Sequence, residues 1–229
     1  MEQQENTSPQ PVRAPLPSVR RLPLYHRMLA THKAQGHEFV SCTHIAGDLK
    51  MDPTQVRKDL AITGIVGRPK VGYPTSDLMN AIEEFLGWNN TTDAFLVGVG
   101  NLGSALLGYK GFSALGLNII AAFDQASSKV GKKVRGREVL PVDRLLDLAP
   151  RMHVHVGVIS VPAEAAQQVA DLMVQAGILA IWNFAPVKLE VPEGIIVERA
   201  DFSSSLAALT SRLRTLVHGT EQDPARRNT

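Results

Sequence analysis

The sequence predicts an α/β fold in two parts, an all-helical part followed by a parallel sheet with helices between its strands. One observation is a change of pattern at the polar break GWNNT, residues 87–91. Apolar positions recur at helical spacing before it, whereas apolar strands alternate with helical patterns after it. The other is the glycine-rich turn Gly98-x-Gly100-x-x-Gly103, which follows a strand and opens a helix. Strands joined by helices of this length indicate a parallel sheet with right-handed crossovers.

Composition limits the class of protein. The chain has 229 residues and is 44% hydrophobic, enough to bury one large or two small cores. Its net charge is +2, so any surface for nucleic acid must be local. The single cysteine, Cys42, excludes an internal disulfide framework, and no apolar run reaches the roughly 18 residues that span a bilayer. Residues 1–17 are polar and proline-rich, unlike a signal peptide. We expect a soluble, cytoplasmic protein without a membrane partner.

The first part has the order of elements found in a winged-helix DNA-binding domain. Residues 1–17 have almost nothing to bury and predict a disordered arm. The patterns after the arm are helices over 22–35, 41–49 and 53–62, a segment over 66–74 punctuated by Gly and Pro, and a helix over 78–86. Ser41 or Thr43 is the expected cap of the second helix, and Pro53 suits the first position of the third. The segment VGRPKVGYP at 66–74 indicates a hairpin or wing.

The third helix and the segment after it carry a local excess of positive charge. Val56 and Leu60 face the core at i, i+4 spacing, which leaves polar side chains outward. The predicted DNA-binding residues are Thr54, Gln55, Arg57, Lys58, Arg68 and Lys70. Amide and guanidinium groups suit base edges, and ammonium groups suit phosphate. The alternative is a solvated charged helix followed by a loop.

The second part contains the glycine turn within alternating strands and helices. Strands are expected over 94–97, 118–123, 139–141, 154–161, 180–183 and 195–197, with helices over 102–109, 142–148 and 163–176. In a dinucleotide-binding turn, Gly98 makes the bend, Gly100 lets the backbone approach a pyrophosphate, and Gly103 packs the helix on the strand. The alternative is a turn of the same shape used only for packing.

An acid follows the second strand. Asp124 stands where dinucleotide-binding folds place a carboxylate that accepts hydrogen bonds from the adenosine ribose and repels a 2′-phosphate. NAD(H) is therefore favoured over NADP(H), although Lys129 nearby could weaken the repulsion. His153 and His155 share a strand face, but no third ligand lies at a recognisable spacing, so we expect no metal.

The last helix is predicted over 203–217, with Asp201 as a plausible N-cap. It carries one apolar stripe, formed by Leu206, Leu209, Leu213, Leu216 and Val217. A helix with such a stripe must bury it, either against its own domain or, by exchange, against a second subunit.

Six blocks carry a resemblance to a known family: QVRKDL (55–60), GRPKVGY (67–73), VGVGNLGSALLGY (97–109), AAFD (121–124), VGVISVPAEAAQ (156–167) and IWNFAPVKLEVPEG (181–194). Together they resemble the Rex family of redox-sensing transcriptional repressors, over about residues 18–217. The resemblance implies a homodimer with an N-terminal winged helix and a C-terminal Rossmann domain. It also implies that NADH lowers the affinity for operator DNA, whereas NAD+ permits binding. The dinucleotide is then a signal, and the protein is not an enzyme.

The resemblance also implies roles for individual residues. The cofactor-binding positions are Gly98, Gly100, Asn101, Leu102 and Gly103 for the phosphates, Asp124 for the ribose, and Val161, Pro162, Asn183, Phe184 and Ala185 around the nicotinamide. Tyr109 corresponds to a tyrosine that pairs with an aspartate of the swapped helix in some members, here Asp201. Phe202 follows, near the nicotinamide of the other subunit. Arg27 corresponds to an arginine at the domain junction, so the implied switch residues are Arg27, Tyr109 and Asp201.

The resemblance divides the chain into a disordered arm (1–17), a winged-helix domain (18–88), a Rossmann NAD(H)-binding domain (89–200), a swapped dimerisation helix (201–218) and a disordered tail (219–229).

Two departures from the family pattern bear on specificity. Residues 61–64 are AITG where many members have SYFG, and RPK at 68–70 replaces the more usual wing residues. Ala126 and Ser127 stand where the family often has Asp-Pro. The alternatives are an NAD-dependent oxidoreductase and a Rossmann module that binds CoA or another nucleotide.

Overall fold

The computed structural model describes residues 14–219. The disorder expected for residues 1–13 and 220–229 lies outside the described residues, whereas Gly219, the first residue of the expected tail, instead ends the last helix. The chain divides after Asn90 into two compact units, the N-terminal unit and the C-terminal unit. This division falls inside the polar break at 87–91.

Over the described residues 14–90, the N-terminal unit consists of four helices and a small antiparallel sheet. In chain order its elements are α1 (Leu16–Ala34), β1 (Phe39–Val40), α2 (Cys42–Leu49), α3 (Pro53–Ala61), β2 (Tyr73–Pro74) and α4 (Thr75–Leu86). β1 and β2 pair with Phe39 opposite Pro74 and Val40 opposite Tyr73. The short strand β1 is absent from the sequence prediction because two residues carry no readable periodicity.

The first helix begins six residues earlier than predicted. α1 starts at Leu16, so the prediction of a disordered arm up to residue 17 is wrong for Leu16 and Pro17. Pro17 lies in the first turn, where a missing N–H costs no helical hydrogen bond. Pro23 lies inside the helix, and the fully buried side chains of Leu22 and Tyr25 hold the helix at that point.

The helix–turn–helix forms as the sequence predicts. Ser41 is the N-cap of α2 and accepts a hydrogen bond from the His44 N–H at 3.2 Å. Asp52 caps α3 by accepting from the N–H groups of residues 54 and 55, at 2.7 and 3.1 Å. Val56 and Leu60 are fully buried, which leaves the opposite face of α3 outward.

The C-terminal unit alternates strands and helices. Its elements are β3 (Thr92–Val97), α5 (Asn101–Leu107), β4 (Leu117–Asp124), β5 (Lys133–Val134), β6 (Arg137–Pro141), α6 (Leu145–Arg151), β7 (Val156–Ile159), α7 (Ala163–Gln175), β8 (Ala180–Asn183), β9 (Ile196–Arg199) and α8 (Phe202–Gly219). Short 3₁₀ helices cover Lys110–Leu115 and Val142–Arg144, so α6 begins three residues later than the predicted helix.

The seven strands form one sheet in the order β5-β6-β4-β3-β7-β8-β9. All neighbours are parallel except β5, which runs antiparallel to β6. The six parallel strands follow the 3-2-1-4-5-6 order of the Rossmann fold, which confirms the predicted parallel sheet. Strand order reverses between β3 and β7, so the ligand crevice of such a fold lies at their carboxyl ends.

Both faces of the central strand β3 are buried. Phe95 and Val97 pack in one apolar cluster with Met173 of α7, whereas Ala94 and Leu96 pack in a second cluster. α8 differs from the other helices, because its apolar side chains are exposed in the single chain. Within residues 14–219 no helix is long and apolar enough to cross a membrane.

Candidate functional site

The glycine turn joins β3 to α5, and two of its glycines are required by the fold itself. Gly98 has φ +97°, and a Cβ there would lie 2.6 Å from Val161 Cγ1. A Cβ on Gly103 would lie 1.9 Å from the Gly98 carbonyl oxygen. Gly100 is different, since a Cβ there would meet no protein atom within 4 Å. The space in front of Gly100 is therefore open for a ligand.

Ser160 holds the glycine turn against the end of β7. Its hydroxyl donates to the Gly98 carbonyl oxygen at 2.8 Å, and its backbone N–H donates to the Val97 carbonyl oxygen at 2.9 Å. Both bonds cross from β7 to β3 at the point where strand order reverses. Ser160 is absent from the predicted site residues, although its position directly after a buried strand was a signal for it.

Asp124 is a buried carboxylate that ties two loops together. Its side chain accepts hydrogen bonds from the Val99 N–H (2.8 Å), the Ala126 N–H (2.9 Å) and the Lys129 ammonium (2.8 Å). Burial opposes ionisation, but these three donors outweigh it and lower the pKa of Asp124. The predicted ribose acid is thus ionised, and it also shapes the glycine turn through Val99.

One cavity of about 310 Å³ brings several predicted residues together, within the usual size range of ligand pockets. Gly98, Gly100 and Asp124 line it beside Val161 and Pro162. The far wall comes from helix α7 and is mostly apolar, with Ala165, Val169 and Leu172 beside the polar Gln168. Lys129 also lines the cavity. An apolar slot that ends at a carboxylate suits the adenosine half of a dinucleotide.

The predicted nicotinamide residues lie in different surroundings. Asn183 is 1% exposed, donates to the Val187 carbonyl oxygen and accepts from the Ala185 N–H, both at 2.9 Å. Ala185 is buried as well. Both residues therefore shape the loop after β8, whereas Phe184 between them is partly exposed. Asn101 and Leu102 are exposed in the first turn of α5.

A row of aromatic rings connects three of the predicted residues. Neighbouring rings have centroids 4.9, 5.5, 4.6 and 6.3 Å apart, in the order Tyr109, Phe112, Trp182, Phe184 and Phe202. The two ends of the row are exposed, by 59% at Tyr109 and 64% at Phe202. Phe112 and Trp182 are absent from the predicted set, because contacts between separate loops leave no pattern in a single sequence.

Asp201 begins α8 as predicted. Its carboxylate accepts hydrogen bonds from Ser203 and Ser204, and Arg199 lies 3.3 Å away. Hydrogen bonds from the Ser203 side chain, the Ser204 side chain and the Ser203 N–H hold the pKa of Asp201 well below its usual range. Arg27, the third predicted switch residue, is exposed on α1 of the N-terminal unit.

The N-terminal unit presents a positively charged surface. Five of the six predicted DNA-binding residues are exposed: Thr54, Arg57, Lys58, Arg68 and Lys70. Arg68 and Gly72 close a tight hairpin, in which the Arg68 N–H donates to the Gly72 carbonyl oxygen at 2.7 Å. Arg57 of α3 lines the same groove as this hairpin and as the first residues of α2. The predicted wing is therefore present as a hairpin beside α3.

Gln55 and Asp59 belong to a buried polar network. Asp59 is fully buried and accepts both guanidinium hydrogen bonds of Arg21, at 2.5 and 2.7 Å. It also accepts from the Tyr25 hydroxyl at 2.6 Å and the Gln55 amide at 2.8 Å. Burial opposes ionisation of Asp59, but its hydrogen bonds, above all those from Arg21 and Tyr25, hold the pKa of Asp59 well below its usual range. The network fixes α3 on α1.

This network is absent from the residues predicted from the sequence. A signal was available, because Asp59 lies three residues after Val56 and next to Leu60, on the buried side of the helix. A carboxylate in such a position requires partners. His153 and His155, by contrast, are exposed, and residues 14–219 contain no group of three or more potential ligands placed to hold a metal ion.

Comparison with known proteins finds relatives for both parts of the chain. Family models described as "CoA binding domain" and "Putative DNA-binding protein N-terminus" match residues 89–187 and 13–61. A redox-sensing transcriptional repressor Rex from Treponema denticola is 46% identical over 199 residues, covering 87% of this chain and 95% of the relative. The Rex repressor from Bacteroides fragilis is 41% identical over 201 residues, covering 88% and 91%. The chain belongs to the Rex family of redox-sensing transcriptional repressors.

Solved structures of a Rex-family repressor, RSP, have the same fold. RSP alone superposes with a TM-score of 0.83 at 32% identity, covering 91% of this chain and 97% of RSP. RSP in complex with β-NAD+ and operator DNA gives 0.83 at 33% identity, covering 93% and 99%. RSP in complex with β-NADH gives 0.83 at 32% identity, covering 93% and 100%. The family and the two-part α/β fold expected from the sequence are confirmed, and the relatives are named as repressors rather than as enzymes.

Proposed function

We propose that this Rex-family chain is a DNA-binding transcriptional repressor that senses the NADH/NAD+ ratio, with NADH releasing it from operator DNA. One observation carries the proposal: the chain combines a glycine turn with open space at Gly100 and an exposed set of cations on α3 and its hairpin. RSP, its structural relative, was captured with operator DNA and with NADH. The dinucleotide then acts as a signal, and the protein acts on DNA in the cytoplasm without catalysing a reaction.

For the dinucleotide, the proposed phosphate contacts are Gly98, Gly100, Asn101, Leu102 and Gly103. Asp124 lies at the adenosine ribose, because its carboxylate ends the apolar slot. Around the nicotinamide, the proposed contacts are Val161, Pro162, Phe184, Tyr109 and Phe202. Asn183 and Ala185 contribute by shaping the loop, since the Asn183 side chain is occupied by backbone groups of that loop.

For operator DNA, α3 supplies the base-reading side chains and the hairpin supplies backbone contacts. Thr54, Arg57 and Lys58 are exposed on α3, and Arg68 and Lys70 are exposed on the hairpin. Gln55 reads bases less freely than expected, because one of its amide hydrogens is donated to Asp59. The second amide hydrogen and the carbonyl oxygen remain for an adenine edge.

The proposed switch is a shift in population between two arrangements of a homodimer. NADH must bind the arrangement that does not fit DNA better, and a tenfold change in DNA affinity requires about 1.4 kcal/mol of differential binding. The exposed apolar stripe of α8 is proposed to pack on a second subunit by exchange. Arg27, Tyr109 and Asp201 are the proposed switch residues.

A gel shift with family-type operator DNA, with and without NADH, tests the proposal. We expect a complex in the absence of dinucleotide or with NAD+, and its loss when NADH is added. The control replaces NADH with a phosphate ester at the same ionic strength, because the affinity of a protein for DNA falls steeply with salt. A complex that NADH leaves intact would contradict the switch even if both ligands bind.

A second candidate is a CoA-binding module, because a CoA binding domain model matches residues 89–187. Direct titration with NADH, NAD+ and CoA separates the two. We expect NADH to bind most tightly, since the slot ends at the buried carboxylate of Asp124, which can accept hydrogen bonds from the hydroxyls of an adenosine ribose. Tighter binding of CoA would overturn the assignment of the signal.

A further inference from the structure

We propose that the adenosine end of this site accepts a 2′-phosphate, so that NADPH binds with only a modest penalty, and that Lys129 determines this tolerance. The inference deepens the proposed function and rests on it, because it concerns the same dinucleotide cavity. Its basis is the ion pair between Lys129 and Asp124, which changes the charge that the ribose meets.

The carboxylate of Asp124 is paired, not bare. The Lys129 ammonium lies 2.8 Å from Asp124 Oδ2, with the lysine side chain 40% exposed and the aspartate side chain 7% exposed. A bare acid at this position rejects a 2′-phosphate because two negative charges approach each other. Here the approaching phosphate meets a neutral pair, with the positive group at the more accessible side.

The surrounding loop adds more positive charge. From residue 125 to residue 135 the sequence QASSKVGKKVR contains four cations and no acid. Ser127 and Ser128, whose hydroxyls are hydrogen-bond donors, are exposed in the same loop. The hydroxyls of Ser127 and Ser128, together with the Lys129 ammonium beside the cavity, are groups that a phosphate monoester prefers.

The cavity places Lys129 where it can act on a ligand. Lys129 lines the cavity together with Gly98, Gly100 and Asp124, so it faces the space assigned to the adenosine. Position 126 is alanine, which leaves room beside the ribose.

Asp124 can release Lys129 without losing all its partners. The N–H groups of Val99 and Ala126 still donate to it when the ammonium turns away. Lys129 therefore has two arrangements. Its ammonium stays paired with Asp124 when the ribose carries a 2′-hydroxyl, and it moves to the 2′-phosphate when the ribose carries that group instead. The long flexible side chain of lysine allows that movement.

Titrations of the full-length protein with NADH and NADPH test the inference, with nicotinamide fluorescence as the readout. The measured quantity is the ratio of the two dissociation constants, NADPH over NADH. Lys129→Met removes the charge and keeps the length of the side chain, whereas Lys129→Arg keeps the charge. Lys132→Met is the matched control, since Lys132 lies three residues further along the chain and, unlike Lys129, is not among the residues that line the cavity.

For the native protein we expect a ratio below about one hundred, since uncompensated like charges in a binding site cost more than that in affinity. Lys129→Met should raise the ratio by about tenfold, the effect of one close charge at a partly exposed site. Lys129→Arg and Lys132→Met should leave it within about threefold.

Three results would overturn the inference: a native ratio above one hundred, a ratio that Lys129→Met changes by less than threefold, or an equal change in Lys132→Met. A native protein that binds neither dinucleotide would refute the proposed function instead. The two failures are therefore distinguishable. If Lys129→Met alone loses NADH binding, the Lys129→Arg variant, which keeps the charge, shows whether the missing charge is the cause.

Discussion

Replacing Asp59 with Asn probes the buried network that fixes α3 on α1. The substitution removes the charge that pairs with Arg21 while keeping the size of the side chain. In the native protein the carboxylate is fully buried and accepts four side-chain hydrogen bonds from Arg21, Tyr25 and Gln55. The amide nitrogen of Asn is a donor, so it faces the guanidinium donors without a partner.

Removing one partner of a buried ion pair costs about 3–5 kcal/mol, because the other charge is left without compensation. The Arg21 side chain is 28% exposed, so water still solvates part of its charge after the partner is removed. We therefore take the lower end, about 3 kcal/mol. For a unit of this size that loss corresponds to a fall of about 12–24 °C in its melting temperature.

The pH dependence has a definite sign. The pKa of Asp59 is lower in the folded protein than its unfolded value of about 3.9. A lowered carboxyl pKa contributes stability that is present above the unfolded value and is lost as the pH falls toward the folded one. The difference in unfolding free energy between the native protein and Asp59→Asn should therefore shrink below about pH 4.

Urea unfolding followed by tryptophan fluorescence measures this loss in the N-terminal unit. The chain has two tryptophans, Trp88 and Trp182, so a Trp182→Phe background leaves Trp88 as the reporter. Asp77→Asn is the control, since Asp77 is an exposed carboxylate on α4, and it should cost less than about 1 kcal/mol. A loss below about 1 kcal/mol for Asp59→Asn, or one equal to the control, would refute the reasoning.

Three further substitutions address the ligand, the DNA surface and the dimer. Gly100→Val should fold normally, because a Cβ at that position meets no protein atom within 4 Å, and it should abolish NADH binding in a fluorescence titration. DNA binding that still responds to NADH would contradict that expectation. Replacing Arg57 and Lys58 together by Ala should weaken operator binding by at least about tenfold in a gel shift and make it less dependent on salt, with NADH affinity unchanged. Loss of both activities would instead indicate misfolding. Leu209→Asp with Leu213→Asp should yield a monomer by light scattering, because these side chains are 64% and 56% exposed in the single chain and pack on the proposed second subunit. A dimer that persists would place the interface elsewhere.

Local patterns determined much of the architecture. The helix–turn–helix was predictable because Ser41, Asp52 and Pro53 act within one turn of the helices they begin. The order of strands and helices around the glycine turn was predictable for the same reason, since hydrophobic periodicity and glycine spacing are short-range features. Boundaries were less certain: the helix predicted from Leu22 begins at Leu16, so Pro23 lies in its interior, where the buried side chains of Leu22 and Tyr25 hold it.

Contacts between distant residues were decided by the tertiary structure. Arg21 and Asp59 are 38 residues apart, and only the packing of α1 on α3 makes the buried carboxylate a partner for the guanidinium. The glycine turn was recognisable from its sequence, but its surroundings were not. The hydrogen bond from Ser160 to Gly98, the open space at Gly100 and the row of rings from Tyr109 to Phe202 all depend on how separate loops meet. By itself the sequence predicted the turn that is proposed to hold the dinucleotide. The fold decided that Lys129 pairs with Asp124 there, because a side-chain contact across a loop depends on backbone geometry that residue spacing does not encode.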